Sequence, residues 1–240
     1  MSQSNNAAQA KTPPLRYLRR ESYMREYAAT AFESQFSDAM AFDVFYERLG
    51  DEAKDQFLRV ASTYLFLVKR GDWRVDVEGT DPVIDYFTNS FKLVSLFSLI
   101  ESLSAEKHQD FQEWLIQIGE EIYPIPDKAT LRKLHEKYKV TFGSIRRCVA
   151  FFERLPPMRQ EELRGALKVE GAPTKSVKEV AQFLYNLRSK FVHEGEFVLD
   201  IANVPVMSKH KSASTLTSLS MQKLLQIFEE GVIAHFINAT

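Results

Sequence analysis

Apolar side chains recur every three or four residues from about residue 15 to 70, and again in segments out to 237. That spacing matches the turn of an α-helix and gathers the apolar groups on one stripe. Phe57, Val60, Ala61, Tyr64, Leu65 and Val68 form one stripe; Phe32, Phe36, Met40 and Val44 form another. Helices striped in this way bury themselves by packing on other helices. Nine Gly and nine Pro in 240 residues are too few for a sandwich of many tight turns. The expected fold is mainly α: an antiparallel helical bundle with an N-terminal helical extension and at most a small β-ribbon.

Interruptions of the rhythm divide the chain. Residues 1–14 are polar and end in Pro13-Pro14, as expected of a disordered tail. Residues 15–80 form an N-terminal helical region with no assigned role, and 82–240 the main helical domain. Gly50-Asp51 reads as a stop followed by a new start. In Gly71–Gly79, Trp73, Val75 and Val77 alternate with charged residues and predict a short strand. Its expected partner is the alternating stretch FVLDIANVPV, 197–206. Asp81-Pro82 opens a long helix over about 82–104. Further helices are expected at about 107–121, 128–138, 141–154, 158–168 and 213–237. Ser176 caps another, with Glu179 as its capping-box partner.

Composition removes several function classes. Net charge is −1, so no global field points to nucleic acid or membrane. The single cysteine, Cys148, excludes an internal disulfide framework and a multi-cysteine zinc site, and suits a reducing, cytoplasmic setting. No apolar run reaches the roughly 18 residues of a membrane span, and the polar N-terminus lacks a signal-peptide core. His108, His135, His210 and His235 are scattered without zinc-like spacing. Phosphate-loop, dinucleotide and zinc-protease motifs are missing, so no cofactor is expected. Charge is nevertheless uneven. Residues 26–62 hold eight acidic and three basic side chains, whereas 126–168 hold eleven basic and five acidic. The basic stretch, with Arg146 and Arg147 at its centre, is either a solvated face or a surface that attracts a phosphate backbone.

The stretch FLYNLRSKFVHEGEF, 183–197, combines a buried stripe with two chemical side chains. Val180, Phe183, Leu184, Leu187 and Phe191 share the stripe, and Arg188 sits beside it. Positions five apart on a regular helix lie about 140° apart around the axis. Arg188 and His193 therefore meet only if the helix unwinds near Gly195, or if a symmetric dimer brings two copies together. Arginine offers a planar fork to phosphate oxygens, and histidine carries protons near neutral pH. RNA supplies its own nucleophile, the 2′-OH, so such a pair suffices for metal-free cleavage. The alternative is structural: His193 as a positive helix end, and Arg188 paired with Glu101 or Glu194.

LYNLRSKFVHEG resembles the signature helix of HEPN domains, particularly the ApeA-like branch, in which an arginine precedes a histidine by four to six residues. Here these are Arg188 and His193. FKLVSLFSLIESL, 91–103, is similar to the earlier core helix of such domains, whose glutamate would be Glu101. The likeness covers about residues 82–237. It implies a HEPN-like antiparallel helical bundle that dimerises. It also implies a metal-independent endoribonuclease of stress response or phage defence, toxin-like, with an antitoxin or defence-complex partner. By this resemblance Arg188 stabilises the phosphate, His193 transfers the proton and Glu101 orients one of them. Ser189, Lys190, Arg146 and Arg147 are the expected RNA-binding side chains. Other HEPN domains are non-catalytic RNA-binding or protein-interaction scaffolds, and that is the alternative expectation. Members paired with nucleotidyltransferase antitoxins carry a tyrosine two residues after the histidine. Gly195 stands there, which argues against tyrosine modification as the control.

Overall fold

The structure, a computed structural model, describes residues 15–72, 81–104, 110–118, 127–210 and 213–238. Its helices, in chain order, are α1 (Glu21–Ala31), α2 (Ala39–Glu47), α3 (Asp51–Tyr64), α4 (Asp81–Ser102) and α5 (Phe111–Ile118). They continue with α6 (Lys128–Phe142), α7 (Ser144–Glu153), α8 (Pro157–Ala166), α9 (Val177–Glu194) and α10 (Met221–Ile237). Four short strands, β1 (Leu167–Val169), β2 (Ala172–Pro173), β3 (Val206–His210) and β4 (Ala213–Thr217), make one antiparallel sheet in the order β2-β1-β4-β3. The protein is thus mainly helical with a small sheet. The tail 1–14 and the strand expected at 73–77 lie outside the described residues.

Local chemistry explains most helix limits. The Asp38 carboxylate accepts from Ala41 N and starts α2. Asp127 accepts from Ala129 N and Thr130 N and starts α6. Each satisfies backbone donors that a helix start leaves open. The Asp38 start corrects the stripe expected over residues 32–44. The chain breaks at Phe36–Asp38, so α2 is rotated relative to α1. Phe42 and Tyr46 are buried instead, while Met40 is 76% and Val44 49% exposed.

The sheet corrects two further expectations. Residues 195–205 form no strand; the strand begins at Val206 and pairs with β4, Val206 opposite Thr217 and His210 opposite Ala213. β4 takes up the first residues of the helix expected from 213, and α10 starts only after Ser220 caps it through Lys223 N. The β4 residues Thr215 and Thr217 are buried, as suits β-branched side chains on a half-covered sheet. β1 ends α8 at Ala166 by pairing with β4 on one side and β2 on the other. The β1–β2 turn carries positive φ at both Glu170 (50°) and Gly171 (81°), the primed geometry that suits a tight hairpin. Glu170 is held there because its N–H donates to Ser214 O (2.8 Å) and its carboxylate accepts from Ser214 N.

One buried cluster runs from Ala28 to Phe236, so the N-terminal helices share their core with α7 and α10. Phe32 stacks on Phe57 and Tyr64 at 5.4 and 5.7 Å, Phe57 meets Phe236 at 5.2 Å, and Tyr64 meets Phe228 at 4.9 Å. At its centre lies Glu229 of α10, a buried carboxylate. Tyr64 Oη donates to it at 2.6 Å, Ser34 Oγ donates to its other oxygen, and Lys69 Nζ lies 3.3 Å away. Burial and this carboxylate both push the Tyr64 phenol well above its ordinary range.

α7 and α10 approach closely where Gly231 faces the Phe151 ring. A Cβ at 231 would lie 2.3 Å from Phe151 Cζ. The expected result for Gly231→Ala is a loss of about 1–3 kcal/mol from overpacking. This loss outweighs the ~1 kcal/mol that alanine gains over glycine in a helix. Thermal denaturation measures it; a rise in Tm would contradict the close approach.

Candidate functional site

α9 is built as a well-defined rod. The Ser176 side chain accepts from Glu179 N at 3.3 Å, and the Glu179 carboxylate accepts from Lys175 N at 3.2 Å. This is a capping box displaced by one residue, because the returning carboxylate serves the donor before the cap rather than the cap's own. Val180, Ala181, Leu184 and Leu187 form its buried stripe. At the other end Gly195 adopts φ 72°, and its N–H donates to Phe191 O at 3.2 Å. Only glycine takes that conformation without strain. The helix therefore stays regular through Glu194. The unwinding that would bring Arg188 and His193 together in one chain does not occur. His193 is exposed in the last turn, and Arg188 is half-buried on a different side of the helix.

α4, α7 and α9 pack against one another, and their polar residues converge on one buried atom. The Cys148 thiol of α7 is fully buried and is pushed up to about 12. Burial is the largest cause and Glu101 of α4 adds to it; Arg188 of α9 and Arg147 of α7 pull the other way. One carboxylate and two guanidinium groups thus act on the same sulfur. The flanking arginines do not make it a reactive thiolate, because desolvation wins. Arg188 Nε, Arg147 Nε and Nη2, and Glu101 Oε1 are each buried without a hydrogen-bond partner among the described residues. The Arg188 guanidinium also lies 5.6 Å from the Tyr185 ring centroid, a favourable cation–π position.

The other expected binding residues differ in availability. Lys190 donates to Glu196 at 2.7 Å, and that bond, ahead of any other cause, raises its pKa. Ser189 is half-buried one residue after Arg188. Arg146 is exposed and lines a groove of about 680 Å³ with Lys139, Lys178 and Tyr185. Part of the basic stretch is neutralised where it stands. Arg159 holds Glu230 at 2.6 Å, and Arg164 pairs with Glu161. The electrostatic surplus therefore lies on α6 and α7 rather than α8. Among the other histidines, His135 stacks beside Tyr138 and Phe111 in a small satellite core, and His108 lies outside the described residues.

Two side chains escaped the sequence reading. Arg154 Nη1 lies 3.2 Å from Nδ1 of His235 on α10, and both share a cleft of about 50 Å³ with Arg147. Arg147 and Arg154 are two helical turns apart, which puts them on one face of α7. That spacing was visible in the sequence. The approach of His235 was not, since it depends on how α10 packs.

Among the described residues no helix is long and apolar enough to cross a membrane. No known protein family, curated protein or solved structure matches the chain.

Proposed function

We propose that this chain is a metal-independent endoribonuclease of the HEPN type that works as a symmetric dimer. The observation that carries the reading is the charge imbalance where α4, α7 and α9 meet. Two guanidinium groups with buried, unpartnered donors stand against one carboxylate. A phosphodiester set against the half-buried Arg188 guanidinium supplies the missing negative charge. RNA is favoured over DNA because the reaction needs the 2′-OH as nucleophile. His193 takes the 2′-OH proton or returns one to the leaving 5′-oxygen, and Arg188 stabilises the phosphorane. Glu101 of α4 adds the opposing negative charge without a hydrogen bond to Arg188.

Because α9 is regular to Glu194, Arg188 of one copy acts with His193 of the other. The surface around the end of α9 suits such pairing: Val192, Phe197 and Leu199 are 46%, 42% and 50% exposed. Exposed apolar groups clustered in this way mark an association surface. A toxin-like role in stress response or phage defence, with an antitoxin or defence-complex partner, follows from the same reading.

Complementation tests the paired site. Arg188→Ala and His193→Ala are each inactive as homodimers. Mixed and allowed to exchange subunits, they regain about a quarter of the parental rate, because half the dimers are mixed and one of their two sites is intact. Absence of recovery despite demonstrated subunit exchange contradicts the shared site. A second reading draws on His193 lying in the last turn of α9, where it offsets the helix dipole. In that case the protein is a non-catalytic RNA-binding or interaction scaffold, and no variant cleaves.

A further inference from the structure

The small cleft between the end of α4, α7 and α10 continues the unmatched positive charge of Arg147 out to Arg154. Arg147 lines it from within, and its Nε and Nη2 are buried without an acceptor among the described residues. Arg154 stands at the exposed mouth, and its hydrogen bond is to the His235 ring rather than to a carboxylate. That contact makes His235 Nδ1 the acceptor, so the ring is neutral. Burial, and then Arg154, push its pKa down. Three other arginines of the chain are held by carboxylates. Arg25 meets Asp43 and Glu47, Arg159 meets Glu162 and Glu230, and Arg164 meets Glu161. Arg147 and Arg154 by contrast meet no carboxylate among the described residues, and they stand at one cleft.

We infer that Arg147, Arg154 and His235 form a binding site for a tetrahedral phosphate oxyanion. The chemistry fits each part. Two arginines one above the other on a helix face bring planar N–H forks to one cleft, and such forks grip phosphate oxygens. The histidine becomes a further donor on taking a proton, which a bound dianion favours. A cleft of about 50 Å³ has room for a few water-sized groups and none for a nucleobase. The site therefore selects the phosphate and leaves the rest of the ligand outside. The phosphate is either one unit of an RNA backbone or a free phosphate. This site shares Arg147 with the junction of α4, α7 and α9 but not His193 or Arg188, and phosphate binding at Arg154 and His235 is read without any RNA being cut.

The test is a binding measurement on the full chain carrying His193→Ala, so that any RNA survives the assay. Arg154→Gln and His235→Gln are compared on that background. Both change side chains that are not fully buried, and an unchanged Tm in phosphate-free buffer shows that each is folded. A labelled single-stranded RNA is titrated across a range of salt concentrations. Separately, inorganic phosphate is added in thermal melts against chloride of equal ionic strength. If the phosphate is a unit of RNA, Arg154→Gln weakens binding about fivefold or more and lowers the salt slope by about one. If it is free phosphate, inorganic phosphate raises the parental Tm and fails to raise that of Arg154→Gln or His235→Gln. Either result supports the site and identifies its source. Parental RNA affinity and salt slope in both variants, with no phosphate-specific stabilisation of any form, overturns it. Loss of cleavage in some other variant would bear on the end of α9 and leave this result untouched.

Discussion

Replacing His193 by alanine lowers RNA cleavage by about 10²–10⁴-fold, the usual worth of a positioned general acid or base, and leaves the melting temperature essentially unchanged. The two halves of that expectation come from the same fact. His193 is exposed at the end of α9, so its removal opens no cavity, and the Gly195 turn closes the helix without it. Arg188→Lys separates charge from shape. It keeps the cation but removes the fork, so a bidentate phosphate contact is lost while the local charge count is preserved. The rate falls in this variant too, and more than RNA affinity does, because stabilisation of the phosphorane is worth most in the transition state. A single-turnover cleavage assay beside thermal melts distinguishes this from a structural role. If His193→Ala loses stability and keeps its rate, the residue is a helix end and nothing more.

Replacing Glu229 by leucine destabilises the protein by about 3–5 kcal/mol, the range for breaking one side of a buried polar pair. The carboxylate serves Tyr64, Ser34 and Lys69 together. Leucine leaves the fully buried Tyr64 phenol without its acceptor and removes the carboxylate that faces Lys69, whose ammonium keeps the Ala31 carbonyl at 2.8 Å. For a chain of this size the expected fall in Tm is about 10 °C or more. The double variant Tyr64→Phe with Glu229→Leu recovers part of that loss, since it also removes the stranded hydroxyl. A change below about 1 kcal/mol would mean that Glu229 reaches water despite its 4% exposure. This network ties the residues before α2, the end of α3 and α10 into one core, which gives the N-terminal region a structural role that the sequence left unassigned.

The helical architecture was legible because it is written locally. The stripe Phe57, Val60, Ala61, Tyr64, Leu65 and Val68 is buried in the fold, and both ends of α9 follow from Ser176 and Gly195. What failed were features set by distant partners. The apolar spacing from Phe32 to Val44 continues across a break that Asp38 makes by capping α2. Periodicity alone does not register that break. ASTLT, 213–217, is compatible with either a helix start or a strand. It becomes a strand because β1, some 45 residues earlier, offers it an edge. The meeting of Glu101, Arg147 and Arg188 around Cys148 is likewise tertiary. Sequence singled out each residue, and packing of α4, α7 and α9 brought them to one atom. His235 was set aside as an isolated histidine, since its neighbours in the chain say nothing about Arg154.

The central claim is that this chain cuts RNA without a metal, through a histidine and an arginine. The most direct measurement incubates the purified protein with total RNA and with tRNA in excess EDTA, beside His193→Ala, and identifies the fragment ends. Cleavage by the parent alone is expected, with 2′,3′-cyclic phosphate at the new ends, because the 2′-OH is the nucleophile. Equal fragments from His193→Ala, or ends bearing a 3′-hydroxyl, would contradict it.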